Sequence, residues 1–419
     1  MEAGAQRHVF LGIAVGVTGG VLARFFLPEA ARAFAVESVA TPVGQIFLRL
    51  LFMLAVPVVF SALVVGIADL DLKSLGRIGL RTLGLTVLAS ATAVALGLFL
   101  VEVVAPGEGQ GDLRQLAEKL AQGKPVPAAA TSSGAIQLVQ MIPDNPIKAA
   151  ATGDMLGLIV FALCFGVALG QVRTDSARAL QRGITGLFEV TMYLLEQVLR
   201  LAPVGVGALL FVTTASVGVD VLGSIAAYVG VVVGAIVLHM AVTYPVMLRV
   251  FARRSVLEFY RGVRLPMQTA FATSSSSATL PVSLEAADKE LRLPRSVAQF
   301  VLTAGASMNQ NGTALFEGIT VLFLAQLFDV DLSLAQQLQV MLICILGGIG
   351  TAGIPGASLP VIAMILTMLG VPPEGLALII GVDRLLDMCR TTLNVVGDLV
   401  IAACVAGPEG SVHEPSPPE

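Results

Sequence analysis

Residues 383–398 read DRLLDMCRTTLNVVGD and lie within the last long apolar stretch of the chain. At about 100° per residue, a helix brings the polar side chains of this segment together on an arc of roughly 100°. The six residues are Asp383, Asp387, Arg390, Thr391, Asn394 and Asp398. Such a helix places charged groups among apolar neighbours, and in a membrane those groups mark the path of a solute.

The composition of the chain is that of a helical membrane protein. Of its 419 residues, 56% are hydrophobic and only 13% are charged, whereas soluble domains carry roughly a quarter charged residues. Continuous apolar runs favour helices that span a lipid bilayer, and they exclude the short alternating strands of an outer-membrane β-barrel. Six such runs precede residue 255, at residues 8–27, 46–68, 78–104, 155–172, 184–216 and 221–250.

The pattern changes after residue 255, where two apolar stretches are each interrupted at their midpoint. The first contains the serine run 273–277 and the second contains the glycine-rich segment 350–356. Each arm has about 15 residues, too few to cross a bilayer at roughly 1.5 Å per residue, which predicts two re-entrant hairpins. A single crossing helix, broken at residues 309–313, separates the hairpins, so they enter from opposite faces as an inverted repeat. The four units are a hairpin at 256–292, a broken helix at 296–328, a hairpin at 334–369 and a final helix at 372–406.

The fold prediction is therefore an all-α polytopic membrane protein with eight transmembrane helices and two re-entrant helical hairpins. Most lysines and arginines fall on the cytoplasmic side when the N-terminus is placed in the cytoplasm, as the positive-inside rule requires. Both termini are then cytoplasmic, and we expect a multi-pass protein of the cell's inner (plasma) membrane. The tail 408–419 is rich in proline and glutamate and is predicted to be disordered.

The cysteines and histidines disfavour several classes of function. All four cysteines lie in apolar stretches, and His239 is alone in an apolar helix. They form no zinc-ligand pattern and no Ser-His-Asp arrangement, so we expect neither an enzyme nor a cofactor. We interpret His239 as a packing residue in preference to a proton relay. No basic segment interleaved with aromatic residues indicates a nucleic-acid partner.

The polar face of the final helix has the side chains needed to hold an acidic amino acid. Arg390 is a permanent cation whose fork can grip a carboxylate. Asp387 can accept an ammonium group one turn earlier, and Asn394 can donate to a second carboxylate. Asp398 has no cationic side chain at helical spacing, which makes it a candidate ligand for a hard cation. The alternative interpretation is a structural ion pair between Asp387 and Arg390.

The three interruptions add further candidate groups. The serine run offers hydroxyls and free backbone amides to an anion, although serines also form plain loops. The glycine-rich segment is either a lid or a structural turn. The broken helix contributes side-chain oxygens from Asn309 and Thr313.

At these interruptions the chain resembles the glutamate transporter family, the dicarboxylate/amino acid:cation symporters. The motifs that carry the resemblance are TSSSSATLP at 273–281, NQNGTAL at 309–315, GTAGIPG at 350–356 and the segment 383–398, with a weaker match in IPDNPI at 142–147. Their order and spacing fit along nearly the whole chain. The resemblance implies a secondary active transporter, a symporter of aspartate or glutamate coupled to a cation.

The resemblance also implies a homotrimer that works by an elevator mechanism. Residues 1–254 are then mostly scaffold and trimerisation helices, except that the spans 78–104 and 221–250 join the transport domain. The core of the transport domain is residues 255–407. The implied partners are a small acidic amino acid, the lipid bilayer and further copies of the chain.

The resemblance further implies which residues bind each ligand. The implied substrate ligands are Ser274, Ser275, Ser276, Thr313, Ile354, Ser358, Asp387, Arg390, Thr391 and Asn394. The implied cation ligands are Gly305, Ser307, Asn309, Gly348, Ile349, Thr351, Asn394 and Asp398. Na⁺ is the implied coupling ion, and H⁺ is the alternative.

The chain departs from the family pattern at a third cation site. The broken helix of the family usually reads Asn-Met-Asp-Gly-Thr, whereas Gln310 and Asn311 stand here in place of Met and Asp. The third span has Thr86 and Ala89 where a tyrosine and a threonine are typical. We therefore expect fewer coupled sodium ions than in typical relatives.

A second departure concerns the amino-group site. The family usually has an arginine beside the aspartate that corresponds to Asp387. The two positions where it occurs are Ser274 and Met388 in this chain. The coupling ion is therefore not determined by the sequence.

Other functions stay open at this point. A channel or a receptor could use the same polar core, since re-entrant hairpins also occur in channels. A C4-dicarboxylate carrier would not need Asp387, and a carrier of neutral amino acids, proton-coupled or weakly coupled, is a further alternative. The sequence does not separate aspartate from glutamate as the substrate.

Overall fold

The structure is a computed structural model that describes residues 3–68, 76–108, 142–152, 155–216, 220–350 and 358–408. Every element of regular secondary structure in these ranges is helical. The first nine α-helices are α1 (Ala3–Phe26), α2 (Glu29–Phe34), α3 (Thr41–Met53), α4 (Ala55–Ala68), α5 (Gly76–Val104), α6 (Pro146–Thr152), α7 (Met155–Gln171), α8 (Asp175–Arg200) and α9 (Ala202–Ser216). The other ten are α10 (Asp220–Leu238), α11 (Tyr244–Met247), α12 (Val256–Gly262), α13 (Arg264–Thr273), α14 (Ser276–Lys289), α15 (Arg295–Met308), α16 (Asn311–Leu327), α17 (Leu334–Gly350), α18 (Ser358–Leu369) and α19 (Leu376–Ala406). Three π-helical segments, Ala35–Ala40, His239–Thr243 and Leu248–Ala252, and the 3₁₀ turn Pro373–Gly375 complete the described part.

Within the described residues, three helical stretches are long and apolar enough to cross a membrane. They are Ile78–Val104, Gly223–Ala252 and Leu378–Ala406. A fourth span is formed if α8 and α9 are counted together, although they bend by 53° at Leu201. The predicted stretch 184–216 is therefore divided, and Pro203, which has no N–H to donate, lies in the first turn after the bend. The prediction of eight crossing helices stays a prediction.

Helices α1 and α9 pack with their backbones almost in contact. Gly12, Gly16 and Gly20 lie one turn apart on α1, and a Cβ on any of them would overlap atoms of α9. In the reverse direction, a Cβ on Gly207 of α9 would overlap the carbonyl oxygen of Gly12. Small residues at every fourth position let two apolar helices approach closely, and van der Waals contact then holds them together.

The interior of the molecule is formed by α16 and α19. Every residue of α16 except Gln326 is buried, including the polar residues Asn311, Thr313 and Glu317, so this helix lies inside the protein. In the span of α19 the buried share is 89%, compared with 39% in the two other long spans. Because α19 carries the polar face, this burial places its charges inside the protein.

Two helical hairpins pack on these interior helices. In the first, α13 and α14 meet at Ser274, which adopts the left-handed conformation with φ 50°, and α13 packs against α19. In the second, α17 and α18 flank residues 351–357, which lie outside the described residues, and both helices pack against α16. Both hairpins therefore contact the helices that carry the candidate site.

Candidate functional site

All six polar residues of the final helix are buried. Asp383, Asp387, Arg390, Thr391, Asn394 and Asp398 are between 2% and 8% exposed. They lie on one face of α19, as the 100° spacing predicts, and α13, α15 and α16 all pack against α19. Burying charged groups is costly unless they are paired, so their partners decide what the face can do.

Arg390 is the centre of a buried ion-pair cluster. Its Nε donates to Asp387 Oδ1 at 2.8 Å, and its Nη1 lies 3.2 Å from Asp383 Oδ1. The same Nη1 donates to Ser358 Oγ, at the start of α18, over 3.0 Å. The guanidinium carbon lies 4.4 Å from the ring centroid of Phe316, a cation–π contact that orients its plane.

A second guanidinium approaches the same aspartate. Nη1 of Arg384 lies 3.5 Å from Asp387 Oδ2, so an arginine is near Asp387 although Ser274 and Met388 are not arginines. The two aspartates and two arginines of this cluster balance in charge. Neither Asp383 Oδ1 nor Asp387 Oδ2 accepts a hydrogen bond from a described residue. The cluster is therefore neutral but not fully hydrogen-bonded, which leaves its pairing open to rearrangement.

The broken helix meets the end of the polar face. Helix α15 ends at Met308 and α16 begins at Asn311, so two residues form the break. Asn309 Nδ2 donates to Asp398 Oδ1 at 2.8 Å. A Cβ at Gly305 would overlap that same Oδ1, so glycine is what lets the carboxylate approach the last turn of α15. Carboxylate and carbonyl oxygens at a broken helix suit a hard cation.

Of the three candidate serines 274–276, one caps a helix and two have hydroxyls without a partner among the described residues. Ser275 Oγ accepts from Ala278 N at 3.2 Å and is the N-cap of α14. Ser274 and Ser276 are 1% and 2% exposed, and their Oγ atoms have no hydrogen-bond partner among the described residues. Buried polar atoms without a partner are rare in native proteins, so Ser274 and Ser276 are the better ligand candidates of the three.

The second hairpin contributes Ser358 and a backbone contact. The backbone N–H of Gln310 donates to the carbonyl of Gly348 over 3.3 Å, which joins the break to α17. Ile349 lies at the end of α17 and Ser307 lies in the last turn of α15. Thr351 and Ile354 lie outside the described residues.

Sequence reasoning missed Glu317. It lies one turn after Thr313 on α16 and is 0% exposed. Neither of its oxygens has a hydrogen-bond partner in the part of the chain that the structure describes. It follows Phe316, the ring that contacts Arg390. The signal was available, because a carboxyl inside an apolar span is a functional candidate in its own right.

A tyrosine from another helix reaches the candidate third cation site. Asn311 Nδ2 donates to Tyr244 Oη at 2.8 Å, and that hydroxyl donates to Leu393 O at 2.9 Å. His239 packs edge-on against Tyr244 with ring centroids 4.8 Å apart, and its nitrogens have no partner among the described residues. In this structure the side-chain amide of Asn311 is therefore a donor to a hydroxyl.

The chain was compared with known protein families, and one family model matches it along most of its length. The chain matches the Sodium:dicarboxylate symporter family over residues 7–407. This range includes the hairpins, the broken helix and the whole of the final helix. The match therefore covers every residue of the candidate site.

Individual relatives agree with that match. A "Proton/sodium-glutamate symport protein" of Bacillus caldotenax is 30% identical over 98% of this chain and 96% of the relative. A "Proton/glutamate-aspartate symporter" of Escherichia coli (strain K12) is 35% identical over 90% of this chain and 86% of the relative. "Excitatory amino acid transporter 1" of Ambystoma tigrinum is 30% identical over 86% of this chain and 76% of the relative.

Proposed function

Because this chain belongs to the sodium:dicarboxylate symporter family and is a cation-coupled symporter of acidic amino acids, we propose that Arg390 and Asp387 are the centre of its substrate site. The protein is a multi-pass membrane transporter and not an enzyme. The observation that carries the proposal is the buried cluster, in which one guanidinium contacts Asp383, Asp387 and Ser358. No other described arginine is buried this deeply.

The side-chain carboxylate of the substrate binds to Arg390. In the structure Asp383 occupies one edge of the guanidinium at 3.2 Å without a hydrogen bond, and a substrate carboxylate replaces it there with two parallel bonds. Ser358, whose hydroxyl accepts from Arg390 Nη1, and the buried Thr313 are the further proposed ligands of this carboxylate. Phe316 supports the face of the guanidinium, so the carboxylate arrives in the plane of the fork.

The ammonium group and the α-carboxylate of the substrate bind to residues other than Arg390. The ammonium group is accepted by Asp387 and Thr391, with the carbonyls of Ser274 and Ile354, and the α-carboxylate by Ser276 and Asn394. The unpaired hydroxyl of Ser276 supports this role. Ser275 shapes the hairpin tip through its cap.

Charge balance supports a requirement for a coupled cation. The cluster of Asp383, Asp387, Arg384 and Arg390 is neutral, whereas aspartate or glutamate carries one net negative charge. Binding the substrate alone would leave that charge uncompensated in a buried site. A cation that enters with the substrate offsets it, and two buried carboxyls outside the cluster are available to hold one.

The first of these carboxyls, Asp398, is the proposed sodium ligand. Its ligand set is oxygen only, with the carbonyls of Gly305, Asn309 and Asn394, as sodium prefers. The close approach of Asp398 to Gly305 supports this arrangement. A second sodium position uses carbonyls near the second hairpin, at Ser307, Gly348, Ile349 and Thr351. Bound Na⁺ would supply a positive charge. The first ion would join the broken helix to α19, the second would join it to the second hairpin, and no resident cofactor is proposed.

The second carboxyl, Glu317, is the proposed proton site. A carboxyl that is 0% exposed and has no described hydrogen-bond partner is costly to ionise. It follows Phe316, whose ring contacts the guanidinium of Arg390. Taking up a proton with the substrate and releasing it afterwards couples transport to the proton gradient without a metal ion.

The architecture proposed for this function is a homotrimeric elevator. It has eight spans and two re-entrant hairpins, with scaffold spans in residues 1–254 and a moving core in residues 255–407 joined by the spans 78–104 and 221–250. Both termini face the cytoplasm at the inner (plasma) membrane. Large apolar side chains are exposed on α1, α5 and α8, among them Phe25 at 76% and Leu80 at 75%. Their exposure supports the proposal that lipid or a second copy of the chain covers these surfaces.

A C4-dicarboxylate is the second candidate substrate. The hydrogen bond between Arg390 Nε and Asp387 Oδ1 is what a structural ion pair would show, and a dicarboxylate has no ammonium group for Asp387. Acidic amino acids are preferred because Asp387 Oδ2 accepts no hydrogen bond from any described residue, so it can still accept one from an ammonium group.

Uptake of labelled L-aspartate into proteoliposomes under separate sodium and proton gradients tests the proposal. We expect saturable uptake that a sodium gradient drives through Asp398 and a proton gradient drives through Glu317. In Glu317→Gln, proton-driven uptake should be lost while sodium-driven uptake persists. Ion current without substrate, or uptake that ignores both gradients, would overturn the proposal.

A further inference from the structure

Gln310 lies at the centre of the helix break and is 2% exposed. Its Oε1 accepts from Asn394 Nδ2 at 2.6 Å, and its Nε2 donates to the carbonyl of Ala306 at 3.2 Å. Asn394 Oδ1 in turn accepts from the backbone N–H of Gly312 at 2.7 Å. Two side-chain amides therefore form a continuous chain of hydrogen bonds from the start of α16 to the end of α15.

The direction of this chain is determined at both ends by the backbone. The N–H of Gly312 can only donate, so Asn394 must present its oxygen there and its nitrogen to Gln310. The carbonyl of Ala306 can only accept, so Gln310 must present its nitrogen there and its oxygen to Asn394. The two requirements agree, and neither amide can be flipped without breaking a bond at one end.

The chain also satisfies groups that a broken helix leaves unpaired. The first N–H groups of α16 and the last carbonyls of α15 have no partner within their own helices. The chain pairs one of each, through a residue of α19 that is 84 positions from Gln310. The break is thereby held in one geometry relative to the polar face.

We propose that Gln310 is a positioning residue that orients Asn394 for the α-carboxylate of the substrate. Asn394 has two N–H hydrogens, and Gln310 takes one of them. The second points towards Thr313 Oγ1 over a long 3.4 Å, so it is the donor that remains for a ligand. Gln310 does not touch the substrate itself. This inference rests on the proposed role of Asn394 in the substrate site.

The first test replaces Gln310 with methionine, the residue that the family usually has at this position. Methionine has similar length and no strong hydrogen-bonding group, so the variant tests whether this chain depends on the amide. The Gln310→Met variant loses the acceptor for Asn394, which is then free to rotate. We expect the Kd for L-aspartate to rise about tenfold, a change of about 1.4 kcal/mol, with a maximal uptake rate within about threefold of wild type because the amide contacts no substrate.

Gln326→Met is the matched control. Gln326 lies near the opposite end of α16, the helix that Gln310 precedes. Its amide also bridges two backbone groups, accepting from Gly107 N and donating to Val101 O. The same chemical change there should leave the Kd within about twofold of wild type. A general loss of packing in α16 would instead raise the Kd for L-aspartate in both variants.

The Gln310→Glu variant tests the direction of the chain. A protonated carboxyl accepts from Asn394 and donates to Ala306 as the amide does, whereas a carboxylate cannot donate. At about pH 5 the Kd of this variant, measured relative to wild type at the same pH, should therefore be lower than that of Gln310→Met. This comparison remains informative if the methionine variant folds poorly.

The outcomes separate this inference from the proposed function. The inference is overturned if Gln310→Met binds L-aspartate within about threefold of wild type, or if Gln310→Glu is no better than Gln310→Met at about pH 5. If Arg390→Ala also retains affinity for L-aspartate, the substrate site itself has been misplaced. If only Arg390→Ala loses affinity, the site stands and Gln310 is a structural residue.

Discussion

The contact between α1 and α9 and the contact between the broken helix and α19 are built on opposite principles. In the first, glycines at positions 12, 16 and 20 bring two backbones together, and any side chain there would overlap the neighbour. In the second, Asn309, Gln310 and Asn394 fill the space with hydrogen-bonding side chains. The first contact depends on shape, and the second depends on polarity.

We expect the contact between α1 and α9 to determine stability and the polar contact at the helix break to determine ligand specificity. Backbone contact between apolar helices offers a solute no group to bind, so changing it alters how well the helices pack. A buried polar cluster costs free energy unless every group is paired. Such a cluster is therefore expected where its groups bind a ligand. Substitutions in the two regions should therefore change different measured quantities.

The largest effect is expected for Arg390→Ala. Removing the guanidinium takes away the charged, two-pronged donor for the substrate carboxylate, so affinity for L-aspartate should fall at least about a hundredfold. Neutral amino acids should bind comparatively better. Binding is measured by isothermal titration or by uptake.

Arg390→Lys is the control, because it keeps the charge near Asp383 and Asp387 and loses the fork. Its loss of affinity should be smaller than that of Arg390→Ala, since a lysine still supplies a point charge. Unchanged affinity for aspartate and glutamate in Arg390→Ala would remove the basis of the assignment.

The next effect, in stability, is expected for Gly16→Ala. The added Cβ overlaps the backbone of Gly207, so α1 and α9 must separate, at a cost of about 2 kcal/mol. Thermal unfolding in detergent should begin several degrees lower, while the folded fraction keeps its affinity for aspartate. Gly84→Ala is the control, because no described atom lies within 4 Å of a Cβ there. Equal stability of the two variants would contradict the account of this contact.

A smaller and selective effect is expected for Asp387→Asn. The change removes the negative charge that accepts the ammonium group, so affinity for aspartate should fall roughly tenfold. Succinate has no ammonium group and should lose much less. Competition of both compounds against labelled aspartate measures the ratio. Equal losses would mean that Asp387 serves only as the partner of Arg390. A C4-dicarboxylate would then be favoured as the substrate.

The smallest effect is expected for Asn311→Asp. Asn311 donates to Tyr244 Oη at 2.8 Å, and an ionised aspartate in its place accepts instead and adds a negative charge. The slope of log affinity against log sodium concentration, which counts coupled ions, should be steeper in the variant than in wild type. Equal slopes in the two proteins would refute the expectation that the third sodium site is empty in the wild type.

Several parts of the candidate site could be predicted from the sequence. The 100° spacing identified the polar face of α19, and the run at 309–313 located the break that the structure has at Asn309 and Gln310. The resemblance to a family of cation-coupled symporters is confirmed by the family match. These predictions succeed because helix period, span length and motif order are properties of short segments.

Other parts could not be predicted from the sequence. Ser275 was grouped with Ser274 and Ser276, although its hydroxyl caps α14. The approach of Arg384 to Asp387 depends on which way two long side chains turn. Glu317 is visible in the sequence as a carboxyl inside an apolar span, but its complete burial and its lack of a described hydrogen-bond partner are seen only in the structure.

The sequence by itself determined that the chain is a helical membrane protein, where its broken helix lies, and which face of the final helix is polar. Only the tertiary structure decided how the polar groups pair. Arg390 contacts Ser358 across 32 positions and Asn394 contacts Gln310 across 84. The periodicity of one helix carries no information about the groups that a distant helix brings to it. Pairing is set by packing, because a buried polar group takes whichever partner the surrounding helices place within reach.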